Sequence, residues 1–141
     1  EFSGVAKYME DTKAQAHRDG FVQTLFGRKR EIPEIKSTMP QLQAAGERMA
    51  INMPIQGTAA DLIKMAMVKI YDEIKGNNDI RMLLQVHDEL VFEIKKDLVP
   101  NITPKLKAIM ENVHQFDVPI VVDVKVGDNW QEMKKSYEKV V

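Results

Sequence analysis

Cysteine is absent from all 141 residues. This excludes a disulfide framework and any thiolate metal site, and it fits an intracellular protein. An excess of one charge is lacking too: 20 Lys and Arg stand against 21 Asp and Glu, a formal net charge of -1. A case for nucleic acid must therefore come from local clusters and not from the field of the whole chain. No apolar run approaches the roughly 18 residues that mark a membrane span. The opening EFSGVAKYMEDTK also lacks the basic-then-apolar layout of a signal peptide. Internal repeats, low-complexity segments and linkers are missing as well, so residues 1–141 read as a single soluble piece, of a size for one domain or one subdomain. With Glu1 where an initiator Met would stand, an excised fragment is the expectation.

What is present alternates between helix and strand patterns. Gly4 to Arg18 has helix-compatible composition and stops at Gly20, which predicts a mostly exposed helix with a glycine cap. FVQTLF is a short strand candidate. Gly27, the basic triplet Arg28, Lys29 and Arg30, and EIPEI follow, with Pro33 forcing a turn or edge; together they predict a β-hairpin near 21–35 with a basic tip. Met39 to Ala50 can form a helix with Pro40 in its first turn. Ala59, Leu62, Ile63, Ala66, Met67, Ile70 and Ile74 recur at three- and four-residue steps, an amphipathic helix that Gly76 ends.

Strands are expected from about Ile80 to Val86 and from Leu90 to Ile94, and a helix between Pro104 and Val113. A half-buried strand should alternate over Ile120, Val122, Val124 and Val126, and WQEMKKSYEKVV should be a short amphipathic helix or a tail. The fold class is α/β in the α+β sense: helices packed on a small, mainly antiparallel sheet. That sheet is short of strands for its helices, so part of it is expected outside this sequence.

Within MLLQVHDELVFEI, Met82 to Ile94, the polar residues His87, Asp88 and Glu89 stand between strongly apolar flanks. Such flanks read as buried β structure, where a lone carboxylate is costly unless paired, protonated or bound to a cation. The plain reading is surface charge at a hairpin turn, although no Gly or Asn marks a tight one. The functional reading is a metal site, because Mg²⁺ takes one or two carboxylates together with water and phosphate oxygens. In a strand Asp88 points opposite to both His87 and Glu89, so the two acids are not equal ligands unless the turn reorients them; Asp88 is the expected ligand. His87, with neither a cysteine nor a second histidine near it, suits a donor to phosphate better than a zinc ligand.

Arg28, Lys29 and Arg30 are either a solvated hairpin tip or a grip on a phosphate backbone. GERMAINMPIQGTAAD is more unusual. Arg48, Asn52 and Gln56 fall four apart and would share a face of a continuous helix, though Pro54 interrupts the ladder. A structural reading makes Asn52 an N-cap with Pro54 in the first turn, and Thr58 with Asp61 a capping box. A functional reading makes the row a set of donors to minor-groove acceptors. Purine N3 and pyrimidine O2 occur in every Watson–Crick pair, so such donors check pair geometry while ignoring sequence, as template copying requires.

GERMAINMPIQGTAADLIKMAM together with RMLLQVHDELVFEI resembles the C-terminal palm region of family A DNA polymerases, the bacterial DNA polymerase I type. The likeness extends through GFVQTLFGRKREIPEI and VGDNWQE, nearly the whole chain in the expected order. The resemblance implies a partial palm subdomain. Asp88 matches a metal-binding aspartate that holds two Mg²⁺ ions with a partner aspartate on another palm strand. Glu89 matches the neighbouring acid, and His87 a residue near the phosphate of the primer terminus. Arg48, Asn52 and Gln56 match polar residues at the primer-template minor groove; Arg28, Lys29 and Arg30 match a basic hairpin bordering the duplex.

The implied partners are primer-template DNA, deoxynucleoside triphosphates and the missing N-terminal polymerase segments, with no membrane, in a bacterial cytoplasm or nucleoid. The implied reaction is attack of a primer 3′-hydroxyl on the α-phosphate of a deoxynucleoside triphosphate, assisted by two metal ions. The family's first metal aspartate, fingers helix and thumb have no counterpart in this sequence, so the isolated chain is expected not to extend primers. Two other readings stay open. One is a non-catalytic nucleic-acid-binding module or one piece of a split polymerase. The other is a different metal-dependent phosphotransferase, which leaves the row Arg48, Asn52 and Gln56 without a role.

Overall fold

Helix α1, Ser3–Asp19, opens the computed structural model, which describes residues 2–135. It fully buries only Thr12 and Ala16, one turn apart, and leaves most of its charged surface to solvent. Gly20 ends it in the left-handed conformation (φ 77°), its N–H donating to the Ala16 carbonyl at 2.8 Å, the expected glycine cap. Strands β1, Phe21–Gln23, and β2, Lys29–Glu31, pair antiparallel with Val22 opposite Arg30.

The hairpin differs from expectation at its tip. Gly27 (φ 82°) closes the turn, its N–H donating to the Thr24 carbonyl at 3.0 Å, while the Thr24 N–H meets the Arg28 carbonyl at 2.9 Å. Because the residue suited to the left-handed conformation precedes the basic triplet, Arg28 finishes the turn and Lys29 and Arg30 stand in β2, beyond the tip. Val22 packs with Ala16, Ile32, Ile35, Ala50 and Met53 in one core. A 3₁₀ turn at Pro33–Lys36 brings Ile35 into it.

Helix α2 runs unbroken from Pro40 to Ile74, 35 residues with Pro54 inside. This corrects the expectation of two helices with a fresh N-terminus at Asn52. A proline removes one ladder bond and costs about 3 kcal/mol in a helix interior. Burial of each large apolar side chain returns about 1.5–3 kcal/mol, and α2 buries Met53 on one side of the proline and Ile63, Ile70 and Ile74 on the other. The helix therefore wins. Asn52 is exposed in mid-helix and caps nothing, and Ala59, expected on the apolar face, is exposed too. Gly46 lets the helix approach the 3₁₀ turn closely: a Cβ there would lie 2.8 Å from the Ile35 nitrogen. At the far end, the Asp72 carboxylate accepts from Lys75 and holds its ammonium above the ordinary lysine range.

The chain divides within α2 into two compact units, Glu1–Asp61 and Leu62–Val141, each with its own core. In the second, Ile70, Ile74, Ile80, Ile102 and Leu106 form the centre. Strands β3, Ile80–Val86, and β4, Glu89–Ile94, pair antiparallel, with a register shift between Met82 and Leu84 that leaves Leu83 out of the ladder. One face of this hairpin packs Met82, Leu90, Phe92 and Ile94 on the core. Leu83 and Leu84, at 52% and 40% exposure, lie outside it, and the inward residues Met82, Leu90, Phe92 and Ile94 are only partly buried, so the strands are less buried than expected.

Helix α3, Val99–Glu111, starts earlier than the apolar spacing indicated because Pro100 suits its first turn. The strand expected over Ile120 to Val126 is reduced to β5, Lys125–Val126, paired with β6, Lys134–Lys135. Burial still alternates through Ile120, Val122, Val124 and Val126. The Val122 N–H donates to the Glu111 carboxylate at 2.9 Å, so here a side chain does the work of a ladder. Trp130–Glu132 forms a 3₁₀ turn capped by the Asn129 side chain, not the amphipathic helix allowed for; the rest of that segment, 136–141, lies outside the described residues. Helices with small antiparallel sheets are thus the observed class, but among the described residues the strands form three two-stranded sheets and not a single one. No helix among the described residues is long and apolar enough to cross a membrane.

Candidate nucleic-acid interface and carboxylate turn

Because α2 is continuous, Arg48, Asn52 and Gln56 come out on one side of it, all exposed. Four-residue steps at 1.5 Å rise place them about 6 Å apart. With Arg30 they line a groove of about 320 Å³, whose remaining walls are Ala45, Met49 and Met53. An Arg30 Nη2 contact to the Met49 sulfur at 3.8 Å sets the strand arginine against the helix. Polar donors thus stand on an apolar floor, an arrangement that offers N–H groups to an acceptor-rich, anionic partner.

The basic triplet divides. Lys29 holds its ammonium 4.3 Å above the Phe21 ring, an exposed cation–π contact. Arg28 is engaged with the helix: Nε donates to Asp61 at 2.7 Å and Nη2 to the Gly57 carbonyl at 3.0 Å. Gly57, like Gly46, was missed by sequence reasoning; two glycines inside one helix at a spacing of three turns were the available signal. Thr58 and Asp61 do not form a capping box. The Thr58 hydroxyl donates to the Pro54 carbonyl and accepts from the Leu25 N–H, and Asp61 receives Arg28.

His87 and Asp88 make a tight two-residue turn between Val86 and Glu89, although neither is Gly or Asn. The geometry is reached by placing His87 in the left-handed region, φ 51°, a conformation that costs a non-glycine residue about 1–2 kcal/mol. Gln85, also missed, steadies it: its side-chain amide donates to the His87 carbonyl at 2.7 Å. A glutamine two residues before the triplet in an apolar strand was the visible clue. His87, Asp88 and Glu89 are all exposed at this end of the hairpin. Among the described residues no group of three or more His, Cys, Asp or Glu is placed to hold a metal ion. Asp88 offers one hard oxygen ligand, which suits a cation that draws its other ligands from water, phosphate or further carboxylates.

A donor row thus lies beside a basic strand, and an exposed acidic turn ends a separate hairpin. A sequence model of DNA polymerase family A matches residues 1–132, and the chain belongs to that family. DNA polymerase I of Pseudomonas aeruginosa is 48% identical over 132 residues, 93% of this chain and 14% of that protein. The thermostable DNA polymerase I of Thermus aquaticus is 43% identical over 134 residues, 95% of this chain and 16% of that protein. This chain therefore spans about one-sixth of the length of these relatives or less. Among solved structures, the POL domain of Pol1 from M. smegmatis, in complex with DNA primer-template and dNTP, superposes with a TM-score of 0.79 at 43% identity, covering 84% of this chain and 21% of that one.

Proposed function

We propose that this chain is the C-terminal part of the palm of a DNA-directed DNA polymerase, working on primer-template DNA and deoxynucleoside triphosphates with the other segments of such an enzyme. The observation that carries the reading is the exposed row of Arg48, Asn52 and Gln56 beside Arg30 in one groove, in a chain of this family. These three donate to purine N3 and pyrimidine O2 near the primer terminus, which rewards correct pair geometry whatever the bases. Lys29 and Arg30, in the same hairpin as Arg28, lie along backbone phosphates.

Asp88 holds Mg²⁺ jointly with ligands from elsewhere in the enzyme, Glu89 adds negative potential beside it, and His87 donates to a phosphate of the primer end. The residues present fit the cation in kind, as an exposed carboxylate on a fixed turn. Mg²⁺ bound there supplies charge neutralisation at the reacting phosphate and a more acidic primer hydroxyl. The left-handed His87 and the Gln85 amide keep the turn in one shape, so Asp88 is presented without reorganisation. A cytoplasmic place beside the nucleoid follows from this role.

The test joins this chain to the upstream polymerase segments of a relative. Primer extension is expected in the joined enzyme and not in the isolated chain. Asp88→Ala in the joined enzyme should lower kcat by about a thousandfold or more, since several kcal/mol of charge stabilisation are lost. An unchanged kcat refutes the assignment.

A further inference from the structure

The turn of the basic hairpin is fastened to α2 at three helix positions, Gly57, Thr58 and Asp61, that with Pro54 form one stripe. Thr58 accepts the Leu25 N–H at 2.9 Å and donates to the Pro54 carbonyl at 2.5 Å. Arg28 reaches Asp61 at 2.7 Å and the Gly57 carbonyl at 3.0 Å, while its own N–H donates to the Thr24 hydroxyl at 3.1 Å. Positions 54, 57, 58 and 61 follow the three- and four-residue steps of a single helix face. A Cβ on Gly57 would sit 2.6 Å from the Thr24 methyl and 3.2 Å from Arg28 Nη2, so only glycine lets the turn seat at this depth.

We propose that Arg28 is a positioning residue and not a phosphate ligand. With Asp61, Gly57 and Thr58 it clasps the hairpin turn to α2, so that Lys29 and Arg30 are presented beside the donor row. The inference rests on the DNA-binding role proposed for that row. Asp61 is 12% exposed, and taking the guanidinium away to a phosphate would break a 2.7 Å ion pair at a largely desolvated carboxylate, an unfavourable change. The fork geometry fits: one guanidinium serves a carboxylate and a carbonyl at once, which a lysine ammonium on a flexible stem does not reproduce. Lys29 and Arg30 by contrast make soft contacts among the described residues, to the Phe21 ring and the Met49 sulfur, which a phosphate can displace.

The experiment uses the complete polymerase carrying this segment, with primer-template affinity measured over a salt series and steady-state kinetics alongside. Arg28→Lys, Asp61→Asn and the double variant should each raise KM for primer-template about tenfold, the double no more than either single, with kcat within about twofold. The slope of log affinity against log salt should become shallower in each by up to about one, as one phosphate contact is lost, even though Asp61→Asn adds net positive charge. A phosphate ligand predicts the opposite: Arg28→Lys keeps its cation and behaves as the parent, and Asp61→Asn frees the guanidinium and tightens binding. Either result overturns the proposal, as does a loss confined to kcat. Should Asp61→Asn melt early, Thr58→Val, which removes only the hydroxyl, must reproduce the KM rise. If the unsubstituted enzyme fails to bind DNA, the underlying functional reading falls with it, an outcome distinguishable from the others.

Discussion

Replacing Asn52 by Ala and Arg30 by Gln should weaken DNA binding in two different ways. The groove that holds both residues makes the difference calculable. Asn52 is the middle of a row of three that spans about 12 Å along α2, or three to four base pairs at 3.4 Å each. Its amide is neutral, so its loss removes hydrogen bonds worth about 1–1.5 kcal/mol in a wet groove, a five- to tenfold rise in Kd, roughly. No counterion is involved, and the salt dependence should stay as it was. Arg30 is a cation, and losing one phosphate contact should make the slope of log affinity against log salt shallower by about 0.9. Between about 50 and 200 mM salt, the affinity ratio of parent to Arg30→Gln should then shrink about 3.5-fold, while that of parent to Asn52→Ala stays constant. Fluorescence anisotropy of a labelled primer-template, with the complete polymerase at several salt concentrations, reads both effects. Only Asn52→Ala should also narrow the preference for a matched over a mismatched primer end, because that donor reports on pair geometry. An altered slope for Asn52→Ala, or an unaltered one for Arg30→Gln, would refute the division of labour.

Two further substitutions test the scaffold. Gly→Ala in a helix interior ordinarily stabilises by about 1 kcal/mol. At Gly46 the new Cβ would meet backbone atoms of Ile35 and Glu34 at 2.8 and 3.1 Å, and overpacking of that kind costs about 1–3 kcal/mol. Gly46→Ala should therefore lower Tm by a few degrees, and a rise contradicts the close approach. His87→Asn should do the reverse: asparagine tolerates φ 51° better than histidine. A small gain in Tm with reduced primer extension is expected, and a fall in Tm shows that the backbone at 87 is not strained.

Much of the chain could be read before its structure was known, where the governing interactions are local. The α1 stop at Gly20 depends on one residue's freedom at positive φ, and β3 and β4 on apolar runs too short for a helix and bounded by turn residues. The donor row was legible as a spacing, but its reality hung on whether Pro54 breaks α2. The answer lay in burial on both sides of the proline, a sum that no window of sequence contains. The tip of the basic hairpin was misplaced because the turn follows Gly27 and not the charges. The strand over Ile120 to Val126 kept its alternation but lost most of its ladder, because alternation reports burial while pairing needs a neighbour.

By itself the sequence determined α1 with its glycine stop, the hairpin strands β3 and β4, and the four-residue step of Arg48, Asn52 and Gln56, since these depend on residues within a turn or two of one another. Tertiary structure alone decided which arginine is spent on Asp61 and which faces the groove, that Gly46 and Gly57 mark close approaches, and that His87 carries the strain of a tight turn. Arg28 and Asp61 lie 33 residues apart, and only the packing of the hairpin on α2 brings that cation and that carboxylate within hydrogen-bonding distance.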